Sequence, residues 1–200
     1  MSESTVAIID GGGANIASLR FALERLGHAS ELTQDHDRIR RASHVILPGV
    51  GAARSAMDKL RSAGLDRLIP GLSQPVLGIC LGMQLLCEGS EEDDTPCLGI
   101  VAGRATRFES VPERPVPHMG WNQLRLIGET PLLAGIQSGA YCYFVHSYAI
   151  PVGPATRAAC DYGSDFTAVL SQGNFHGAQF HPERSGAIGA RLLENFLTRF

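Results

Sequence analysis

The chain has 200 residues, 44% of them hydrophobic and 18% charged, with 17 Lys and Arg against 20 Asp and Glu for a net charge of −3. That balance excludes a disordered polyelectrolyte and a strongly basic surface of the kind that binds nucleic acid or anionic membrane. No apolar run approaches the roughly 20 residues that span a bilayer, and residues 1–5 are polar with no secretory signal.

The first predicted element is the apolar strand Val6-Ala7-Ile8-Ile9, which runs into Asp10-Gly11-Gly12-Gly13. Residues 14–26 follow with Ile16, Leu19, Leu23 and Leu26 at helical spacing, and Gly27 is a natural stop. The turn lacks Gly-x-Gly-x-x-Gly, so it reads as a tight strand-to-helix connection and not as a dinucleotide site. A second strand is predicted over 29–33. A third, His44-Val45-Ile46-Leu47, ends in Pro48-Gly49-Val50-Gly51, and a helix over 52–60 offers Ala56, Met57 and Leu60 to the core.

Val76, Leu77 and Ile79 form the next apolar strand, and residues 81–87 read as the start of a buried helix. An acidic loop is predicted over 88–96. Beyond it the pattern becomes strand-rich, with candidates over 99–108, 122–127, 141–150, 156–162, 167–171 and 175–180. A helix over 188–200 closes the chain with Ile188, Leu192, Leu193, Phe196 and Leu197 inward. Strands alternating with helices predict an α/β fold whose mainly parallel central sheet is covered on both faces, a three-layer arrangement. The later strands are expected to extend that sheet in antiparallel fashion. With no repeat and no composition break, one domain over 1–200 is expected.

The five cysteines are Cys80, Cys87, Cys97, Cys142 and Cys160. An odd number without Cys-x-x-Cys predicts neither a disulfide framework nor a zinc site. His118, His146 and His176 have no metal-ligand spacing, so no metal and no cofactor are expected. A reducing cytoplasm is the expected setting.

One of the cysteines is set apart by its surroundings. Gly78-Ile79-Cys80-Leu81-Gly82 is a nucleophile elbow with cysteine at the apex, where a sharp turn needs neighbours lacking a Cβ. A helix N-terminus after Cys80 is expected to favour the thiolate. Acyl-transfer chemistry also needs N–H groups aimed at a developing oxyanion. The N–H of Leu81 is one candidate, and that of Val50 or Gly51 is the other, since both stretches follow strand ends. His181-Pro182-Glu183 completes the set. In extended chain, positions two apart project to one side, so Glu183 can orient His181 while His181 moves the proton of Cys80.

With Gly78-Ile79-Cys80-Leu81-Gly82-Met83-Gln84 and His181-Pro182-Glu183, the chain resembles the class I glutamine amidotransferases essentially end to end. It is most similar to the glutaminase-subunit family of imidazole glycerol phosphate synthases, on three further stretches. They are residues 47–52, Pro117-His118-Met119-Gly120-Trp121-Asn122, and Tyr143-Phe144-Val145-His146-Ser147-Tyr148.

The resemblance implies a flavodoxin-like core and attack by Cys80 on the side-chain amide of glutamine. His181, oriented by Glu183, acts as general base and then as acid toward the leaving ammonia, and water hydrolyses the glutamyl thioester. Gln84, Glu92, Ser147, Tyr148 and the backbone at Gly51 match positions that hold glutamine. The partner implied is a (β/α)₈-barrel cyclase subunit, paired as a heterodimer in the cytoplasm, which takes the ammonia for histidine biosynthesis. His118, Met119, Gly120, Trp121 and Asn122 are the expected partner-facing residues.

One departure stands out. The family usually carries Asp-Tyr-Gly-x-Gly-Asn after the first strand, where this chain has Asp10-Gly11-Gly12-Gly13-Ala14-Asn15. The flexible Gly49-Val50-Gly51 is further expected to act as a gate, misdirecting an oxyanion donor until the partner binds. Three competing readings are a glutaminase serving another synthase, a non-catalytic partner-binding module of the same fold, and a stand-alone cysteine hydrolase.

Overall fold

The computed structural model describes residues 5–11 and 16–200. The N-terminal tail and most of the glycine turn, with Gly12, Gly13, Ala14 and Asn15, lie outside the described residues.

Eight strands form the principal sheet. Four come from the first half: β1 (Val6–Ile9), β2 (Ser30–Thr33), β3 (His44–Gly49) and β4 (Val76–Cys80). They lie side by side in the order β2, β1, β3, β4, all parallel. Phe175–Ala178 adds to β4 in parallel, and Asp165–Gln172, Thr156–Asp161 and Arg125–Leu126 continue outward as antiparallel neighbours.

Why the sheet is covered on both faces can be read along single strands. Side chains alternate, so in β1 Val6 and Ile8 enter one apolar layer while Ala7 and Ile9 enter the other. The first layer is closed by α1 (Ile16–Arg25), through Leu19 and Leu23, and by the C-terminal helix Gly186–Thr198, through Leu192, Leu193 and Phe196. The second is closed by α2 (His36–Arg41), through Ile39, and by α3 (Ala53–Ser62), through Met57 and Leu60. A short helix α4 (Leu65–Leu68) joins them there. Among the described residues no helix is long and apolar enough to cross a membrane.

The structure corrects four of the sequence expectations. The helix expected over 81–87 is the five-residue α5 (Leu81–Leu85), because Cys87–Ser90 turns away as a strand beside Val101–Arg107. The acidic loop over 88–96 therefore contains that strand, a 3₁₀ turn at Glu92–Asp94 and the strand Thr95–Pro96. The strand expected over 122–127 starts at His118 and is two strands, His118–Gln123 and Arg125–Leu126, broken at buried Leu124. Residues 141–150 likewise divide, so that Tyr141–His146 pairs with His118–Gln123 while Tyr148–Ala149 pairs with Val101–Arg107. The parting at Ser147 lets one segment serve two sheets beside the elbow.

Candidate active site

Cys80 ends β4 with φ 54° and ψ −114°, a positive φ that few non-glycine residues adopt. Strain of this kind persists only where surrounding structure holds it. Here the holding is close backbone packing. A Cβ on Gly78 would lie 2.7 Å from the Gly82 carbonyl oxygen, and one on Gly82 would overlap the Leu47 carbonyl. Both glycines are required by contact, as the elbow reading expects. Because α5 has five residues, its dipole is small, and the polarity at Cys80 comes from individual neighbours and not from a long helix.

Register places Gly49 of β3 beside Cys80. Residues 49–51, Cys80, Leu81, Gln84, Glu92, Val145, Ser147, Tyr148 and His181 line one cleft of about 490 Å³. Thus the three expected catalytic residues, the three expected oxyanion-hole residues and the expected glutamine-holding residues are at or beside a single cavity. Glu92 is drawn there by α3, since its Oε2 accepts the Ala53 N–H at 2.7 Å and satisfies an open donor of the helix start.

His181 is buried, and its Nδ1 lies 3.0 Å from Glu183 Oε1. Backbone contacts fix the imidazole's base: the His181 N–H donates to the Tyr143 carbonyl, and the Ser185 hydroxyl donates to the His181 carbonyl at 2.7 Å. Burial by itself pulls the His181 pKa down. Hydrogen bonds and charges from Cys80 and Glu183 reverse that and raise it to about 10. The other cysteines lack such partners. Burial pushes the thiols of Cys87 and Cys142 up to about 12, Cys97 to about 11 and Cys160 higher still.

Of the expected partner-facing residues, Met119 and Trp121 are exposed, at 63% and 56%. Trp121 packs against Tyr143, over which the Arg184 guanidinium sits 4.5 Å from the ring centroid. His118 does not face outward. Alternation along its strand turns it inside, stacked between Phe144 and Tyr162. There its Nδ1 lies 3.1 Å from Nε2 of His146, while Nδ1 of His146 lies 2.9 Å from the Tyr148 carbonyl. Gly120 and Asn122 are half-buried.

Four residues with no role in the site expected from sequence complete the cleft: Pro117 and His146, both inside the quoted motifs, and Arg184 line it, and Gln179 stands behind Cys80. Gln179 is fully buried just past the strand Phe175–Ala178 and two positions before His181, and a polar residue within the strand expected over 175–180 is the signal that marks it. A cysteine, an imidazole and a carboxylate in such a cleft can carry a nucleophilic acyl transfer.

A family model described as glutamine amidotransferase class-I matches residues 7–200. The chain is 54% identical over 192 residues to the imidazole glycerol phosphate synthase subunit HisH of Xylella fastidiosa (strain Temecula1), covering 96% of each chain. It is 52% identical over 193 residues to the imidazole glycerol phosphate synthase subunit HisH 2 of Legionella pneumophila (strain Paris), covering 96% of this chain and 97% of that one. A solved structure of a glutamine amidotransferase shares the fold at a TM-score of 0.74 and 20% identity, with 96% of each chain covered.

Proposed function

The chain belongs to the class I glutamine amidotransferases, and from that premise we propose that it is the glutaminase subunit of imidazole glycerol phosphate synthase, with Cys80, His181 and Glu183 as its catalytic set. The observation that carries the site assignment is the buried His181–Glu183 pair, whose His181 shares one cleft with the strained Cys80.

Cys80 attacks the amide carbon of glutamine, and the oxyanion that develops meets N–H groups at Leu81 and at Val50 or Gly51. His181 takes the thiol proton as the thiolate forms. With its pKa raised by Cys80 and Glu183 after burial is overcome, it holds that proton at neutral pH. It hands the proton to the departing nitrogen as the C–N bond breaks, leaving ammonia and a glutamyl thioester. Water, losing a proton to His181, then attacks the thioester, and glutamate leaves as Cys80 is restored. Gln84, Glu92, Ser147 and Tyr148 hold the glutamine, the Glu92 carboxylate suiting its ammonium group.

As a synthase subunit it works with a cyclase subunit, a (β/α)₈ barrel paired with it as a heterodimer in the cytoplasm. The exposed Met119 and Trp121 beside the Arg184–Tyr143 pair form the partner-facing surface, and ammonia passes across it without meeting bulk water. Gly51, at φ 88° with open space around it, allows the Val50–Gly51 peptide group to turn while Gly49 is held against Gly82, so within the Gly49-Val50-Gly51 gate an oxyanion donor is misdirected until the partner is engaged.

The test is glutamate release from glutamine, by the chain alone and then with the cyclase subunit and its ribulosyl ligand. Stimulation is expected, with Cys80→Ala lowering the stimulated rate at least about 10³-fold. Equal rates with and without the partner would remove the synthase assignment, and unchanged turnover in Cys80→Ala would remove the catalytic one.

A further inference from the structure

We propose that Gln179 is a further catalytic residue: its side-chain amide donates to the Cys80 sulfur, favouring the thiolate and aiming it into the cleft. The inference rests on the glutaminase reading of the same site and deepens it.

Gln179 has no exposed surface. Burying a primary amide is costly unless its donors and acceptor are used. Nε2 lies 3.7 Å from Cys80 Sγ, within reach of an N–H···S contact, and Oε1 lies 2.9 Å from Nε2 of Gln84.

The orientation of this amide is dictated by its neighbours. Gln84 Nε2 lies 2.8 Å from the Tyr148 carbonyl, which can only accept, so Gln84 presents its NH₂ group there. That same NH₂ group faces Gln179, so the facing atom of Gln179 must be its oxygen. Its nitrogen is thereby turned onto the sulfur. With both N–H bonds of Gln84 engaged, only its Oε1 is left for glutamine. Gln84 thus serves the nucleophile through Gln179 as well as the substrate.

An N–H donor strengthens as the sulfur becomes charged. Gln179 therefore raises the fraction of Cys80 ready to attack. It acts again when the hydrolytic intermediate collapses, the C–S bond breaks and the electron pair returns to sulfur, because a stabilised thiolate leaves more easily. His181 supplies and removes the proton, and Gln179 supplies the fixed donor.

Two variants of similar length separate this role from packing. Gln179→Glu keeps an oxygen for the Gln84 N–H but places a carboxylate against the sulfur, whereas Gln179→Met keeps volume and offers no donor. Each is compared with wild type by thermal unfolding, by iodoacetamide alkylation of Cys80 at neutral pH, followed by peptide mass against the other four cysteines, and by steady-state glutamate release in the complex. In whichever variant folds, Cys80 alkylation and kcat are expected to fall about 10- to 100-fold, with KM within about twofold. A folded variant with wild-type alkylation and kcat overturns the proposal.

Should neither fold, nitrogen-15 NMR of the wild-type chain decides. The Gln179 side-chain amide resonances are expected to follow a pH-dependent transition that is lost in Cys80→Ala, and the same transition in both chains overturns the proposal. If the wild-type complex releases no glutamate, the glutaminase reading fails, while the alkylation arm still tests the N–H···S contact.

Discussion

One buried histidine in the cleft and a buried histidine pair that reaches it through His146 have opposite electrostatic fates. His181 faces Cys80 and Glu183, and its pKa is raised to about 10 against the pull of burial. His118 and His146 face each other and a carbonyl, and burial lowers them to about 4 and about 3. A hydrogen bond to the Tyr148 carbonyl and charge repulsion from His118 and His181 are smaller effects at His146. Their tautomers follow from geometry. The Tyr148 carbonyl accepts, so His146 carries its proton on Nδ1 and accepts at Nε2, which makes His118 the donor at Nδ1. His118 Nε2 then accepts from the Asn122 amide at 3.4 Å. Position near Cys80 therefore does not by itself raise an imidazole's pKa. Direct partners do, Cys80 first and the Glu183 carboxylate beside it, and the histidine pair remains a neutral hydrogen-bonded strut.

Removing that carboxylate should produce the largest break in the contrast. In Glu183→Gln, His181 keeps a hydrogen-bonding neighbour of the same shape but loses the charge that favours imidazolium. Glutamate release in the complex is expected to fall about 10³- to 10⁴-fold, the scale seen when a catalytic histidine loses its orienting carboxylate. Circular dichroism should show the fold retained. Activity within tenfold of wild type would mean that the carboxylate does not set the role of His181.

The pH dependence of stability gives the next largest effect, with opposite signs for the two groups. For His118, His146 and His176 the folded values of about 4, 3 and 4 lie below the ordinary 6.5. Their contribution is intact above pH 6.5 and is lost as pH falls toward those folded values, because the unfolded chain takes protons that the folded chain refuses. From pH 6.5 to 5, with ordinary carboxylates still mostly ionised, each costs about 1.6 kcal/mol. His181 is raised, so its contribution is complete below 6.5 and lost as pH rises through about 10. Thermal unfolding from pH 5 to 10.5 should give a maximum between these windows. A Tm that stays constant from pH 7 to 5 would contradict the buried-neutral assignment.

The contrast also explains what could be read before folding. Cys80 and its glycines are adjacent in the chain, and His181 and Glu183 are two residues apart, so local spacing carries their geometry. Apolar strands β1, β3 and β4 and the helices with a clear apolar face are legible for the same reason. The six-residue α2 escapes because His36-Asp37-Arg38-Ile39-Arg40-Arg41 has one buried residue, Ile39, and is started by the Asp35 side chain accepting the Arg38 N–H. The expected interface stretch fails at His118 because its partner, His146, is 28 residues away and is met only through strand pairing. Gln179 is similar: its role depends on Gln84, 95 residues distant. Short motifs preserve local chemistry, while polar networks that cross the sheet depend on register.

The smallest predicted effect is the most direct test of the carboxylate rule, because it moves the rule to the other histidines. Asn122 Nδ2 lies 3.4 Å from Nε2 of His118, and Asn122 is half-exposed. Asn122→Asp would place a carboxylate there without changing the size of the side chain. A protonated His118 can donate from Nε2 to that carboxylate and still donate from Nδ1 to His146, while the Asn122 donations to neutral His118 and to the Asp161 carbonyl are given up. Water reaching the half-buried position 122 screens the pair, which limits the expected rise in the His118 pKa to about one pH unit, roughly 1.4 kcal/mol. Moving it from about 4 toward 6.5 narrows the window in which acid destabilises the fold. The loss of Tm between pH 7 and pH 5 should therefore be smaller in Asn122→Asp than in wild type, with the His118 ring resonances titrating at higher pH. If both are unchanged, a nearby carboxylate is not sufficient, and the high pKa of His181 must depend on Cys80 as much as on Glu183.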